Sequence, residues 1–252
     1  TSIGAYQFQG ATCLTKVTLP STITSVGANA FWGCTNLESI NLGATGTTTV
    51  SNNAFYGCSK LATIEFPNSI TTIGSSALYG CSSLRKVVFG ENLTSISNNT
   101  LRDCNALDTI VWNVKTYSIA SSSSTPFNSS YVSVYSQIKS FTFGPKVETI
   151  PAYLCCNMSN ISAPIVIPES VTSIGSEAFY NCSSVPSLTL NKTIKNYNRE
   201  FDGCSGLKSL YYTGTIEEWC GITFNSSSSN PLYYAKNLYT NNNLATEIDI
   251  PS

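Results

Sequence analysis

The stretch VGANAFWGCTNLESINL at residues 26–42 decides the fold, because most of the chain consists of variants of it. Three copies follow it: VSNNAFYGCSKLATIEF at residues 50–66, IGSSALYGCSSLRKVVF at 73–89 and ISNNTLRDCNALDTIVW at 96–112. An earlier copy, IGAYQFQGATCLTKVTL, occupies residues 3–19. The large apolar residue near the middle of each copy recurs in steps of 23, 24, 23 and 23 residues, at Phe8, Phe31, Phe55, Leu78 and Leu101. The chain is therefore a tandem array of nearly constant period.

Each copy ends in a short alternating apolar pattern, such as Leu37, Ile40 and Leu42. Residues two apart on a strand face the same side, so Ile40 and Leu42 point into a core. One coil cannot bury that face alone, whereas stacked coils can, with parallel pairing between equivalent strands. A period in the twenties with L-x-x-I-x-L predicts a leucine-rich-repeat solenoid. We expect a right-handed, β-rich solenoid with short parallel strands.

The rest of each copy predicts a second extended segment and a corner. The β-branched runs at residues 23–27 and 70–74, I-T-S-V-G and I-T-T-I-G, indicate an extended segment on the opposite face of the coil. We expect Gly27 and Gly74 to adopt positive φ where the chain turns. The A-F-x-G-C piece is too short for a stable α-helix, so it predicts one helical or 3₁₀ turn at a corner.

The repetition argues for one solenoid over residues 1–252. Regular copies fill residues 1–112 and 138–212, whereas 113–137 form a serine-rich insertion and 213–243 a second irregular segment. In the latter, Thr215 with Glu218 three residues later predicts a capped helix start. Residues 244–252 begin a further repeat, with Leu244, Ile248 and Ile250 resuming the strand pattern. Because the chain begins in mid-repeat, we expect it to be a piece of a longer array.

The composition gives no electrostatic case for a nucleic-acid or anionic-membrane partner. The net charge is −1 and only 11% of residues are charged, with Ser, Thr and Asn supplying polarity. No apolar run approaches the roughly 20 residues that a membrane span needs, so we expect no membrane insertion by this chain.

The unit I-G-x-x-A-F-x-G-C-x-x-L-x-x-I-x-L-P resembles the BspA-like leucine-rich repeats of surface proteins from gut and oral bacteria and some protozoan parasites. The tail, with G-T-I-E-E-W at residues 214–219, is similar to a segment that recurs between repeat blocks in that family. The resemblance implies a bacterial cell-surface or secreted protein with a binding or adhesion role. A signal and an anchor would then lie outside this chain.

Six of the ten cysteines occupy one repeat position, namely Cys34, Cys58, Cys81, Cys104, Cys182 and Cys204. Ala11 and Met158 take the same position in other copies, and neither could replace a disulfide partner. We therefore predict a ladder of buried free thiols, since parallel side-chain vectors also disfavour bridges. Cys155 aligns with the core Phe, so burial is the simplest prediction for it. The redox state of Cys13, Cys155, Cys156 and Cys220 stays open.

The sequence offers little for catalysis or cofactor binding. The chain has no histidine, which removes the commonest general base and every Ser-His or Cys-His nucleophile. The glycines form no phosphate-binding motif, and the cysteines lack C-x-x-C spacing for zinc. We therefore expect no enzyme activity, no cofactor and no metal.

Two rows of side chains are the candidate binding sites. The first is an aromatic row at the position after the core Phe, formed by Trp32, Tyr56 and Tyr79, with Tyr180 further along. Such a row suits sugar rings or a partner protein, although the rings could instead simply cover the corners. The second is an apolar patch of exposed Val88 and Val111 with a charged rim of Arg85, Lys86 and Asp108. Its alternative is that valine merely suits strands.

Two functions from different classes follow from these rows. The first is a non-enzymatic binding or adhesion module that presents its repeat surface to a host protein, such as an extracellular-matrix protein, or to a glycan. The second is a structural spacer whose functional domains lie outside this chain. A contiguous exposed aromatic or apolar patch favours the first, and a uniform Ser/Thr/Asn surface favours the second.

Overall fold

The computed structural model describes residues 1–43, 46–97, 99–119, 126–129 and 132–246. The chain winds into stacked coils, and each regular coil contributes one strand to a front sheet and one to the opposite side. The strands of the first front sheet pair in parallel, in the order of the coils: β2 (Lys16–Thr18), β4 (Ser39–Asn41), β6 (Thr63–Glu65), β8 (Lys86–Phe89), β10 (Thr109–Trp112) and β13 (Ser140–Phe143). The predicted leucine-rich-repeat solenoid is confirmed.

A second front sheet continues the array after the insertion. Its parallel strands are β15 (Ile165–Val166), β17 (Ser187–Leu190), β19 (Ser209–Tyr212) and β21 (Asn237–Thr240). A last strand, β22 (Asn243–Leu244), pairs antiparallel with β21 and leaves Leu244 exposed. Leu244 therefore does not extend the parallel pattern, and the predicted Ile248 and Ile250 lie outside the described residues.

The opposite side carries short two-residue strands, as predicted from the β-branched runs. The first five form one parallel sheet: β1 (Ser2–Ile3), β3 (Ser25–Val26), β5 (Thr49–Val50), β7 (Thr72–Ile73) and β9 (Ser95–Ile96). Two parallel pairs follow: β14 (Thr149–Ile150) with β16 (Ser173–Ile174), and β18 (Asn196–Tyr197) with β20 (Thr223–Phe224). The insertion separates the first sheet from these pairs, and the Tyr117 hydroxyl accepts from the Ile96 N–H beside the last strand.

The irregular segments contain further elements among the described residues. In the insertion, β11 (Asn128–Ser129) and β12 (Val132–Ser133) form an antiparallel pair that leads into a 3₁₀ turn at Val134–Gln137. In the second segment, helix α1 (Ile216–Cys220) is followed by a 3₁₀ turn at Pro231–Tyr233. The predicted capping box is confirmed, because Thr215 Oγ1 accepts from the Glu218 N–H at 3.2 Å and Glu218 Oε2 accepts from the Thr215 N–H at 2.9 Å.

The corner consists of tight turns that alternate between two kinds of hydrogen bond. The Trp32 and Cys34 N–H groups donate to carbonyls three residues back, as in a 3₁₀ turn, whereas those of Phe31 and Gly33 donate to the next coil. Asn29 and Gly33 have φ of 56° and 70°, which prevents a continuous helix. This alternation holds Phe31 inside the core while Trp32 faces outward.

Gly27 and Gly74 serve a different purpose from the predicted one. Neither adopts positive φ. A Cβ on Gly27 would lie 2.7 Å from the Ala5 nitrogen, and one on Gly74 would lie 2.5 Å from the Asn52 nitrogen. Real Cβ atoms do not approach backbone that closely, so glycine is needed because adjacent coils touch at this point.

The core repeats with the coils. The rings of Phe8, Phe31 and Phe55 stack in sequence, with centroids 5.2 and 5.4 Å apart. All six ladder cysteines are unbridged and buried, as predicted, and so are Cys155 and Cys156. Each ladder thiol also donates to a backbone carbonyl of the preceding coil, for example Cys58 Sγ to Phe31 O and Cys81 Sγ to Phe55 O, both at 3.2 Å. Burial raises the pKa of the Cys58 and Cys104 thiols to about 12, which keeps them protonated and unreactive.

We expect thiol labelling to distinguish the two classes of cysteine. In the native protein only Cys13 and Cys220 are exposed, so two thiols should react, and all ten should react after denaturation. Cys81→Ser should lower the free energy of unfolding by about 1–2 kcal/mol, because a hydroxyl is costlier to bury than a thiol. Mass measurement under non-reducing conditions checks the count; bridges among the six ladder cysteines would refute the interpretation.

Candidate functional site

The three predicted aromatic residues form one continuous surface, which we call the aromatic ribbon (Trp32, Tyr56 and Tyr79). Trp32 is 39% exposed and its ring centroid lies 5.9 Å from that of Tyr56. The Tyr56 and Tyr79 rings are 4.6 Å apart and nearly parallel, at 6°. The corner repeats in register from coil to coil, so outward side chains at equivalent positions stack on one another.

A fourth residue, Arg102, extends the ribbon, although the aromatic pattern in the sequence does not include it. Its guanidinium lies 5.3 Å from the centroid of the Tyr79 ring, which is the geometry of a cation–π contact. A hydrogen bond with the Asp103 side chain is the largest cause of the raised pKa of Tyr79. Arg102 holds the repeat position of Trp32, Tyr56 and Tyr79, so the period could have identified it despite the change of residue type.

Stacking determines which part of each ring a ligand can reach. Tyr56 has a ring on each face, and Tyr79 lies between Tyr56 and Arg102. The ring edges and the Tyr56 hydroxyl therefore remain for a ligand, together with the exposed part of Trp32. Aromatic edges carry partial positive charge and favour carbonyl oxygens, carboxylates or the faces of other rings.

Tyr180 does not join the ribbon. It lies under the Arg199 guanidinium, which is 5.7 Å from the ring centroid. Arg199 in turn forms ion pairs with Glu177 at 2.9 Å and with Asp202 at 3.4 Å. Tyr180 thus covers a charged corner in the second half of the array.

The predicted apolar patch is present but less exposed than expected. Val88 and Val111 are direct neighbours on β8 and β10, and both are half-buried because adjacent strands bring their side chains together. Of the predicted rim, Arg85 and Lys86 are exposed, whereas Asp108 is half-buried and accepts from Thr109 Oγ1 at 2.8 Å.

A second stacked pair, Tyr211 and Tyr239, lies on the front face of the second sheet. Their ring centroids are 4.7 Å apart at 17°, and β19 and β21 place them in register. The repeat pattern does not predict the pair, because Tyr239 follows the irregular segment, where the period gives no alignment.

Across the residues that the structure describes, no three Cys, Asp or Glu side chains are grouped to hold a metal ion. Glu91 is instead engaged by Lys115 at 3.5 Å and Lys146 at 3.1 Å, which lowers its pKa and ties three coils together. Within the same part of the chain, no helix is long and apolar enough to cross a membrane.

The chain matches one protein family by sequence. A family profile described as "BspA type Leucine rich repeat region", in six copies, matches residues 1–131 and 126–247. Leucine-rich-repeat families of this kind are generally non-enzymatic scaffolds and are commonly surface proteins. A comparison with curated proteins found no match.

Several solved bacterial structures resemble the chain. A leucine-rich cell-surface protein from Faecalibacterium prausnitzii is 18% identical with a TM-score of 0.42, over 88% of this chain and 66% of that one. A leucine-rich-repeat protein from Bacteroides ovatus is 22% identical with a TM-score of 0.44, over 95% and 66%. The pneumococcal vaccine antigen PcpA is 15% identical with a TM-score of 0.32, over 91% and 78%. The chain thus spans just under two thirds of the length of the first two structures.

Proposed function

The chain belongs to the BspA-type leucine-rich-repeat family, and from that premise we propose that it is a non-enzymatic, extracellular or surface-exposed binding module whose aromatic ribbon contacts a host protein. The supporting observation is the continuous stack of Trp32, Tyr56 and Tyr79, closed by Arg102. Large, rigid rings and arginine dominate the binding energy of many protein interfaces. Because these side chains lie on successive coils of a regular array, binding does not have to order a flexible loop and pays no entropy cost for it.

A protein partner suits the ribbon better than a flat sugar ring. Sugars pack on the open face of an aromatic ring, and the stack covers both faces of Tyr56 and of Tyr79. Ring edges, the Tyr56 hydroxyl and the Arg102 guanidinium together favour carbonyl and carboxylate groups, which a polypeptide surface supplies in quantity. An extracellular-matrix protein is the partner class that we propose to screen first.

The spacer function remains the alternative, and the front face of the first coils favours it. The outward residues there are Thr18, Asn41 and Glu65, all exposed and polar. Exposed polar side chains of this kind maintain solubility and are what a spacer needs. The ribbon lies outside that face, at the corners of the same coils.

Replacing Trp32, Tyr56 and Tyr79 together by Ala should reduce binding to an immobilised matrix protein by at least about tenfold. Surface plasmon resonance against a panel of matrix proteins, together with a glycan array, measures the affinities of the parent and the variant. Thermal unfolding should shift by only a few degrees, because the lost stacking is worth about 1 kcal/mol per pair at half-buried positions.

The matched control is Tyr180→Ala, at the same repeat position in a remote coil, which should bind like the parent. Unchanged binding by the triple variant would show that the ribbon only covers the corners. A panel in which the intact protein finds no ligand would favour the spacer function.

A further inference from the structure

A groove of about 550 Å³, lined mainly by residues with polar side chains, lies where the irregular coil meets its neighbours, apart from the aromatic ribbon. One wall is the 3₁₀ turn at Val134–Gln137, which takes the place of the regular corner. The coils before and after it supply the floor and the opposite wall. The lining is largely side chains that can form hydrogen bonds, including Arg85, Asn105, Asp108, Gln137, Lys139 and Asn160.

Side-chain amides connect this wall to the coils on both sides by hydrogen bonds. Gln137 Nε2 donates to the Cys104 carbonyl at 2.7 Å, towards the preceding coil. Asn160 Nδ2 donates to the Ser136 carbonyl from the following coil. Backbone bonds continue beneath the groove, with the Lys139 N–H donating to Asp108 O at 2.8 Å. The groove is therefore preorganised, which reduces the entropy cost of binding a ligand.

The charges in the groove have a definite order. Arg85, Asp108 and Lys139 follow one another on three successive coils, with the half-buried carboxylate between two exposed cations. A carboxylate in this position accepts hydrogen bonds from hydroxyl groups, whereas a guanidinium binds a carboxylate in a bidentate manner. The surrounding amides and the serines at positions 136, 162 and 184 add both donors and acceptors.

We infer that this groove binds an acidic saccharide unit, a sugar ring that bears a carboxylate. Arg85 holds the ligand carboxylate, while Asp108 on the next coil accepts from ring hydroxyls and Lys139 donates to hydroxyl oxygens further along the ring. Asn105 and Gln137 satisfy the remaining hydroxyls with their amide groups. An uncharged sugar loses the ion pair with Arg85, and a simple anion such as acetate offers no hydroxyls to Asp108.

Titration of the intact chain with trigalacturonic acid, followed by saturation-transfer NMR, tests this inference. The methyl ester of the same trisaccharide keeps every hydroxyl and removes the charge. We expect millimolar binding of the acid and at least about tenfold weaker binding of the ester. Arg85→Ala should weaken binding of the acid by about tenfold, because it removes the guanidinium that binds the ligand carboxylate in a bidentate manner.

Lys86→Ala is the matched control. Lys86 is adjacent, exposed and equally charged, yet does not line the groove, so this variant should bind within about twofold of the parent. Equal losses in the two variants, equal binding of acid and ester, or no transfer at about 10 mM acid would overturn the inference. Equally strong binding of triglutamate would overturn the assignment to a sugar. The triple variant that lacks the aromatic ribbon should still bind the acid. A negative result for the groove can therefore be told apart from a negative result for the proposed function of the ribbon.

Discussion

Gly74→Ala should lower the free energy of unfolding by about 3 kcal/mol, although it adds only one methyl group. The new Cβ would lie 2.5 Å from the Asn52 nitrogen and 2.6 Å from the Ser51 carbonyl carbon. Both atoms belong to the backbone of the preceding coil, so no flexible side chain can move aside. The two coils must separate, which also weakens the bond from the Gly74 N–H to Val50 O, now 2.8 Å long.

Urea unfolding followed by circular dichroism measures this effect, with Gly221→Ala as the matched control. Gly221 follows α1 with φ of −81°, and a Cβ there would have its closest contact at 3.5 Å. That variant should unfold within about 0.5 kcal/mol of the parent. If both variants unfold alike, close approach of the coils is not the reason for glycine at position 74.

Glu200→Gln should stabilise the protein at neutral and alkaline pH. Glu200 is only 4% exposed and holds the corner position that small apolar residues such as Ala54 and Ala178 fill in other coils. Burial is the main cause that raises its pKa from 4.5 to about 7, and the nearby Asp202 adds to it. The hydrogen bond from the Asn198 N–H to Glu200 Oε2 acts in the opposite direction, but is outweighed.

The raised pKa sets the direction of the pH dependence. The folded state binds the proton more tightly than the unfolded state, so stability is highest below pH 4.5 and falls as the pH rises to about 7. The pKa difference corresponds to about 3 kcal/mol. Glutamine keeps the acceptor and carries no charge, so the variant should exceed the parent by about 3 kcal/mol at pH 8 and by little at pH 4.

Unfolding free energies measured from pH 4 to pH 8 check this prediction. Glu169→Gln provides the control, since it makes the same chemical change at an exposed position. A Glu200→Gln variant whose advantage is the same at both ends of the range would show that Glu200 titrates normally. Tyr197, buried beside Glu200, stays protonated over this range because burial raises its pKa well above 10.

The sequence by itself determined the repeating unit, the residues of its core, the helix cap and the buried free thiols. Phe31, Cys34 and Leu37 recur at fixed spacing, and burial in one coil implies burial in the next. The capping box at Thr215 and Glu218 was equally predictable, because both partners lie within one helical turn. These features depend on local spacing or on the period, and both can be counted along the chain.

Only the tertiary structure decided what happens between coils and where the period breaks. The close approach at Gly74, the guanidinium of Arg102 over Tyr79 and the burial of Glu200 all depend on contacts with other coils. The groove beside Gln137 is lined by residues from several coils, including the 3₁₀ turn of the irregular coil. Such contacts are made between residues more than twenty positions apart in the sequence, on coils whose strands lie about 4.8 Å apart. A sequence pattern specifies the order of residues but not the distances between coils.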